Sequence, residues 1–284
     1  MADTGRAQED ALGQIRQEID AIDRQLHQLL NQRARCAQQV AEVKAQYQQD
    51  KVVYYRPERE AQVLRKVMER NEGPLPDAEV ARLFREVMSV CLALEQPLRV
   101  VFPGTLSSRS HQASMKQFGQ SADFHAVDTI DAIFAAVASG QADYGIVPIE
   151  RVEPELAEAS VLALAKYNLA LCGEVSDFGS RYLVIGDQLV GPSGEDKTAL
   201  LIEFNTAYKD SSLNDSLIST LDKLFETQTL YPTAQIAIDV DNRSLIYVDF
   251  EGHSSAPQVI KLLAEIEQQA VSCRLLGSFP MAVL

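Results

Sequence analysis

Four charged residues in the first hundred positions fall on or beside apolar helical stripes. They are Arg16, Arg33, Lys44 and Glu95. A single residue of this kind usually extends its charged end to water from the edge of a stripe. Three cations and a carboxylate together are harder to place in that way, because buried charges without partners are costly in free energy. A small polyanion would pair with the cations, so the pattern predicts a binding site for such a ligand.

The spacing of the cations predicts how they share one ligand. Arg33 and Lys44 lie 11 residues apart, close to three helical turns, so they point the same way about 16 Å apart along the axis. Arg16 precedes Arg33 by 17 residues, which places it roughly 25 Å away and about 100° round the helix. It cannot reach the same ligand within one straight helix, but it can from an antiparallel partner chain. We therefore predict a two-fold homodimer, formed through the N-terminal helices, with two equivalent pockets.

Three helices are predicted to position these residues. Apolar residues recur every three or four positions from Leu12 to about Gln48, without proline, which predicts one helix of roughly 50 Å. No small domain covers such a helix alone, so the partner chain is expected to cover it. A second helix is predicted over 57–70, opened by a proline. A third is predicted over 77–95, with Asp77 as its N-cap and Glu95 on its apolar side.

After Pro97 the pattern changes to alternating strands and helices, which indicates a parallel α/β unit. Its predicted elements are strands at 98–102 and 144–149 and helices near 111–118 and 130–139. Beyond the polar loop 191–196 the order is βαββαβ, typical of a ferredoxin-like module. Its predicted elements lie at 198–204, 211–225, 231–239, 244–250, 256–269 and 271–276.

The predicted fold class is therefore multidomain. An all-α dimer domain spans 1–97, a short α/β lobe spans 98–190, and an α+β ferredoxin-like module spans 191–284.

Composition and charge exclude several classes of function. The net charge is −14, and residues 1–97 hold 14 of the 26 basic and 16 of the 40 acidic residues, so the acidic excess lies in the rest of the chain. Such a protein is a poor binder of nucleic acid or membrane surfaces. The four cysteines and four histidines are dispersed, which argues against a metal site and favours a reducing compartment. We expect a cytoplasmic protein, because no secretory signal or membrane-spanning run is recognisable. We also expect no cofactor.

The N-terminal third resembles the all-helical chorismate mutase family, and in particular the mutase domain of the bifunctional chorismate mutase–prephenate dehydratases. The resemblance covers nearly all of residues 10–97 and is specific. The segments that carry it are Ile15–Asp23, Gln32–Arg35, Lys44, Tyr55–Glu60, Ala81–Glu86 and Leu92–Pro97.

This resemblance implies a reaction and a role for each matching residue. The family converts chorismate to prephenate by an intramolecular Claisen rearrangement, a step of aromatic amino acid biosynthesis. By resemblance, the two carboxylates of chorismate are held by the partner's Arg16, by Arg33 and by Arg59. Lys44 donates to the breaking ether oxygen, and Glu60 accepts from the ring hydroxyl.

Three further positions are implied by the same resemblance. Glu95 stands where some members have glutamine, so it must be protonated to donate to the ether oxygen, and burial must raise its pKa. Arg56 lies beside the substrate. Cys91 also contacts the substrate site, where it replaces a small hydroxyl residue of some relatives and is interpreted as tolerated packing.

Residues 98–190 resemble the start of a prephenate dehydratase domain, through Gln141–Glu150 and Ser180–Gly186. The family's catalytic Thr-Arg-Phe segment begins here with Ser180, an expected asparagine is Arg151, and a glycine-rich loop survives only as Pro103–Ser107. Only 30 positions separate Glu150 from Ser180, where the family has most of a second lobe. Since the family's active site lies between the lobes, we predict an inactive dehydratase.

Residues 191–284 resemble an ACT regulatory domain, through Asp196–Thr198, Asp249–His253 and Leu276–Pro280. The family's phenylalanine-binding segments are replaced by Lys209–Leu213 and Ile238–Asp241. Phenylalanine binding is therefore predicted to be lost.

Two other functions stay open at this point. The same scaffold could act on an amino analogue of chorismate, because Glu60 can accept from an ammonium as well as from a hydroxyl. Alternatively, the chain could be a non-catalytic partner that regulates another enzyme through its ACT-like module. The set of inward charges argues against the second alternative, because a regulator has no physical need for them.

Overall fold

The N-terminal region consists of three helices, which we call the helical domain (residues 1–97). The computed structural model describes residues 2–47, 53–150, 154–205, 211–240 and 243–284. The helices are α1 (Ala2–Tyr47), α2 (Pro57–Glu69) and α3 (Asp77–Ala93), as the sequence predicts. Helix α1 begins ten residues before Leu12, because the preceding alanine, glutamine and glutamate residues favour a helix without an apolar period.

Helix α1 leaves its apolar side uncovered within one chain. Nine of its large apolar side chains are between 43% and 60% exposed. We call these residues the α1 stripe: Leu12, Ile15, Ile19, Ile22, Leu26, Leu29, Leu30, Val40 and Val43. A contiguous apolar patch of this length typically marks an interaction surface.

Both ends of α3 differ from the prediction. The N-cap is Pro76, and Asp77 is the first helical residue, its carboxylate accepting from Asn71 Nδ2 at 2.7 Å. Proline fits this boundary because it needs no hydrogen-bonded N–H there. Glu95 does not lie on the helix, which ends at Ala93; its N–H bonds to the Leu92 carbonyl at 2.9 Å in the following turn.

The second region, which we call the middle lobe (residues 98–190), is one five-stranded sheet with helices against it. Its elements are β1 (Arg99–Pro103), α4 (Arg109–Phe118), β2 (Asp123–Val127), α5 (Ile130–Ala138), β3 (Tyr144–Glu150), α6 (Pro154–Lys166), β4 (Ala170–Asp177) and β5 (Ser180–Gly186). The strand order is β2-β1-β3-β5-β4.

The sheet of the middle lobe is mixed rather than parallel as predicted. Strands β1, β2 and β3 are parallel, but the β4–β5 hairpin joins them antiparallel. A tight turn at Phe178 and Gly179 connects β4 to β5, with positive φ at both residues. Such a short connection permits only antiparallel neighbours.

The third region, which we call the C-terminal module (residues 191–284), has the predicted βαββαβ order. Its elements are β6 (Asp196–Asn205), α7 (Ser211–Thr227), β7 (Pro232–Val240), β8 (Arg243–Glu251), α8 (Pro257–Glu267) and β9 (Ser272–Pro280). The antiparallel sheet has the order β7-β8-β6-β9, which is the ferredoxin-like arrangement.

The three regions pack directly on one another. Gly119, at the end of α4, has positive φ, and a Cβ there would collide with Ser89 of α3. The backbone of Gly277 in β9 lies against Leu171 in β4, where a Cβ would meet the Leu171 carbonyl. Both glycines are therefore required by close contact between regions. Among the described residues, no helix is long and apolar enough to cross a membrane.

Candidate active site

A cavity of about 470 Å³ lies between the three helices of the helical domain. Helix α1 lines it with basic side chains, the 53–56 segment forms one wall, and α2, α3 and the turn after α3 complete it. The predicted site residues that it brings together are Arg33, Lys44, Arg56, Arg59, Glu60, Cys91 and Glu95. These seven residues therefore line one cavity, and their roles in binding or catalysis stay predictions.

Arg33 and Lys44 both reach from α1 toward the rest of the helical domain. Arg33 Nη1 lies 3.4 Å from the Val87 carbonyl of α3. Lys44 Nζ donates to the Val53 carbonyl at 2.9 Å and lies 5.6 Å from the centre of the Tyr54 ring. Backbone contacts therefore hold both cations at the cavity wall, and neither forms an ion pair with another residue that the structure describes.

Glu95 carries a polar atom that the described protein groups do not satisfy. Its Oε2 is buried without a hydrogen-bond partner. Burial raises the pKa of this carboxyl above its ordinary value, and the nearby charge of Lys44 opposes the rise. A buried unpaired oxygen at a cavity wall is costly unless a ligand or water bonds to it.

Glu60 is held by a residue that the sequence reasoning missed. Arg85 of α3 is 7% exposed, and its Nε lies 3.2 Å from Glu60 Oε1. Burial raises the pKa of Glu60 to about 7, and Arg85 opposes this rise. The helical spacing of α3 could have indicated that Arg85 is buried. It lies four residues from both Ala81 and Ser89, which are buried on the same side of the helix.

The remaining predicted residues differ in their surroundings. Arg56 is exposed and is paired with Glu58, with Nη2 2.7 Å from Oε1. Cys91 is a buried free thiol. Arg59 is exposed at the start of α2. The two exposed guanidiniums thus border the cavity from its outer side.

Arg16 does not line this cavity. It is exposed on α1, near the N-terminal part of the α1 stripe. At 1.5 Å per residue it lies roughly 25 Å from Arg33. The predicted contribution of Arg16 from the partner subunit stays a prediction.

A second cavity, of about 820 Å³, lies between the 53–58 segment and the middle lobe. It shares Lys44 and Arg56 with the first cavity and has Arg99 as a third cation, but three acidic residues, Glu58, Asp143 and Asp187, also line it. Carboxylates repel a dianion. The first cavity, with four cations and two carboxyl groups of raised pKa, is the better site for such a ligand.

Two known families match adjacent parts of the chain. Residues 15–96 match chorismate mutase type II, and residues 100–194 match prephenate dehydratase. The bifunctional chorismate mutase/prephenate dehydratase of Pseudomonas aeruginosa is 29% identical, over 98% of this chain and 100% of the relative. The chain is thus similar to the bifunctional chorismate mutase/prephenate dehydratases over nearly its full length. The candidate cavity lies within residues 15–96, the part that matches chorismate mutase type II.

Two further comparisons show which parts of the chain are similar to known proteins. The corresponding bifunctional protein of Neisseria gonorrhoeae is 44% identical over 160 residues, which are 56% of this chain and 43% of the relative. The prephenate dehydratase of Arthrobacter aurescens, solved with L-Phe, superposes with a TM-score of 0.55 at 14% identity, covering 64% of this chain and 90% of that one. The second likeness shows a shared fold: a dehydratase-like α/β fold follows the mutase helices.

Proposed function

We propose that the protein is a chorismate mutase that converts chorismate to prephenate. The observation that carries this proposal is the cavity at the helical domain. Arg33 and Lys44 line it together with the buried Glu95 Oε2, and among the described residues neither cation has an ion pair and this oxygen has no hydrogen-bond partner. The match of residues 15–96 to chorismate mutase type II and the activity named for the relatives of this chain support the same reaction.

The geometry suits this reaction because the rearrangement is intramolecular and needs no nucleophile. The enzyme has to hold a compact conformer of chorismate and stabilise the negative charge that grows on the breaking ether oxygen. Arg33 and Arg59 bind carboxylates of the substrate. Lys44 and the protonated carboxyl of Glu95 donate to the ether oxygen.

Glu60 completes the site by accepting a hydrogen bond from the ring hydroxyl of chorismate. It must be ionised to accept in this way, whereas Glu95 must be neutral to donate. Burial raises the pKa of both groups. Catalysis thus requires Glu60 to be ionised and Glu95 to be protonated. Each requirement should appear as a separate limb in the pH dependence of activity.

We propose that the active enzyme is a homodimer in which the α1 stripes of two chains cover each other. The stripe is about half exposed in one chain, and burying it would stabilise association by roughly 25 cal/mol for each Å² of apolar area removed from water. A two-fold arrangement of antiparallel α1 helices brings the partner's Arg16 toward Arg33. Each site then has three guanidiniums for two carboxylates.

The first test of this mechanism is the Glu95→Gln variant. In the wild type, ionisation of Glu60, near pH 7, should raise kcat/KM, and loss of the Glu95 proton should lower it as the pH rises. Glutamine donates at every pH, so the variant should keep the acid limb and lose the alkaline one. An unchanged alkaline limb in Glu95→Gln would rule out Glu95 as the donor.

We further propose that the middle lobe has no dehydratase activity. The alignment with the Pseudomonas relative extends over 379 positions, whereas this chain has 284 residues, so at least 95 aligned positions have no counterpart here. The described part of the lobe has a single five-stranded sheet. The residue that replaces the expected asparagine, Arg151, lies outside the described residues.

The surroundings of Arg181 support the same proposal. Its Nε lies 2.8 Å from Glu174 and its Nη2 2.7 Å from Asp249 of β8, while Nη1 is 3.5 Å from Glu150. Arg181 and Ser180 are 6% and 3% exposed. The guanidinium therefore joins the middle lobe to the C-terminal module, and its donors are directed at protein carboxylates rather than at a substrate.

We propose that the C-terminal module is an ACT-type domain that no longer binds phenylalanine. Its strand order and the Asp249–His253 segment support the ACT assignment. The replaced segments support the loss of the ligand, although Lys209, Asp210 and Asp241 lie outside the described residues. The cysteines are unpaired, which fits a protein of the reducing cytoplasm.

A further inference from the structure

Arg85 connects the mutase cavity to the middle lobe. On one side its Nε bonds to Glu60 Oε1 at 3.2 Å. On the other side its Nη1 donates to the backbone carbonyl of Lys116, in α4, at 2.8 Å. The Arg85 side chain is only 8% exposed. One buried guanidinium therefore spans from a proposed catalytic carboxylate to the backbone of another region.

We propose that Arg85 is a positioning residue of the mutase, which orients Glu60 toward the substrate and is itself anchored by the middle lobe. The proposal rests on the proposed chorismate mutase function. It also gives residues 98–190 a role, because the lobe supplies the acceptor that fixes Arg85.

The contacts around Arg85 show why the lobe is needed. The neighbouring residues of α3, Glu86 and Ser89, accept hydrogen bonds from the backbone N–H groups of Gln120 and Ser121 at 3.1 and 3.3 Å. These bonds hold α4 and its following turn against α3. The Lys116 carbonyl is thus fixed relative to Arg85, and a planar guanidinium with several donors can bond to both of its acceptors at once.

The charge of Arg85 also sets the ionisation of Glu60. Burial favours the neutral carboxyl, and the guanidinium is the opposing charge at hydrogen-bonding distance. Other titratable or charged groups on the surrounding elements line the same cavities as Glu60. They are Arg33 and Lys44 on α1, Tyr55 and Arg56 before α2, Arg59 on α2, Glu95 after α3, and Glu174 on β4.

The chain offers a matched control on the same helix. Arg82 is also on α3 and also pairs with a glutamate, its Nη2 lying 2.7 Å from Glu79 Oε2, but its side chain is 60% exposed. An exposed pair of this kind contributes little to stability. The variants to compare are therefore Arg85→Gln, Arg85→Lys and Arg82→Gln.

The experiment measures kcat and kcat/KM for chorismate in the full-length variants over about pH 5 to 9. In Arg85→Gln the acid limb of kcat/KM should move to a pH about 1 unit higher, because Glu60 loses its opposing charge. Its kcat should fall about 10-fold or more at neutral pH. In Arg85→Lys the acid limb should lie close to that of the wild type, because an ammonium supplies the positive charge. Its kcat should still be lower than that of the wild type, because the ammonium does not bridge both acceptors. Arg82→Gln should match the wild type.

Each other outcome counts against the proposal. An acid limb that stays in place in folded Arg85→Gln would overturn it, and so would a wild-type kcat in Arg85→Lys. If Arg85→Gln does not fold, as judged by circular dichroism, the Arg85→Lys variant alone decides. A wild type that turns over no chorismate would overturn the proposed function and this inference together, whereas an active wild type with unaffected variants overturns only the inference.

Discussion

Co-expression of two inactive variants, Arg16→Ala and Arg33→Ala, is expected to restore about a quarter of the wild-type chorismate mutase activity. Each variant alone should be nearly inactive, because it lacks one carboxylate-binding guanidinium in both sites of its homodimer. In a mixed dimer, one site combines an intact Arg33 with the partner's intact Arg16, and the other site has neither. Random pairing makes half of the dimers mixed, so about one site in four is complete.

A second pair of variants provides the control. Arg33→Ala and Lys44→Ala remove two residues that line the same cavity of one chain, so a mixed dimer has no complete site and activity should stay absent. Different affinity tags on the two chains, purified in succession, establish that mixed dimers form. Mixed Arg16→Ala and Arg33→Ala dimers without activity would contradict the shared site.

Prephenate supplied to the purified protein at neutral pH is expected to stay unconverted. The middle lobe has one sheet in its described part, and Arg181 is bonded to carboxylates of both the lobe and the C-terminal module. Among the described residues, no second lobe faces it to complete a cleft. The measurement is formation of phenylpyruvate, with the Pseudomonas aeruginosa relative as the positive control. The expected rate is that of buffer alone.

A rate of phenylpyruvate formation that rises with protein concentration would contradict the proposed loss of dehydratase activity.

The same preparation tests whether the C-terminal module responds to phenylalanine. Chorismate turnover measured with and without phenylalanine should be the same, since the segments that bind phenylalanine in the family are replaced here.

The local features of the helical domain could be predicted from the sequence because they depend on helical periodicity. The spacing of Arg33 and Lys44 placed both at one cavity, and the spacing of Arg16 excluded it from that cavity within a single chain. Helix ends were less accurate. Glu95 continues the apolar spacing of α3 but lies in the turn after it, because the chain bends there toward β1.

Contacts between distant segments could not be predicted in the same way. Arg85 was missed because its two acceptors, Glu60 and the Lys116 carbonyl, are 25 and 31 residues away. The mixed sheet of the middle lobe depends on the β4–β5 hairpin, and Ala170–Asp177 has no alternation that marks it as a strand, since six of its eight residues are buried in succession. Periodicity identifies a face, but it does not identify the residues that meet that face.

The most direct test of the proposed function is to incubate the purified full-length protein with chorismate, follow its disappearance by absorbance and identify the product. We expect chorismate to disappear in proportion to the protein present, and prephenate to accumulate without phenylpyruvate. Chorismate that persists with folded, dimeric protein would contradict the proposed function.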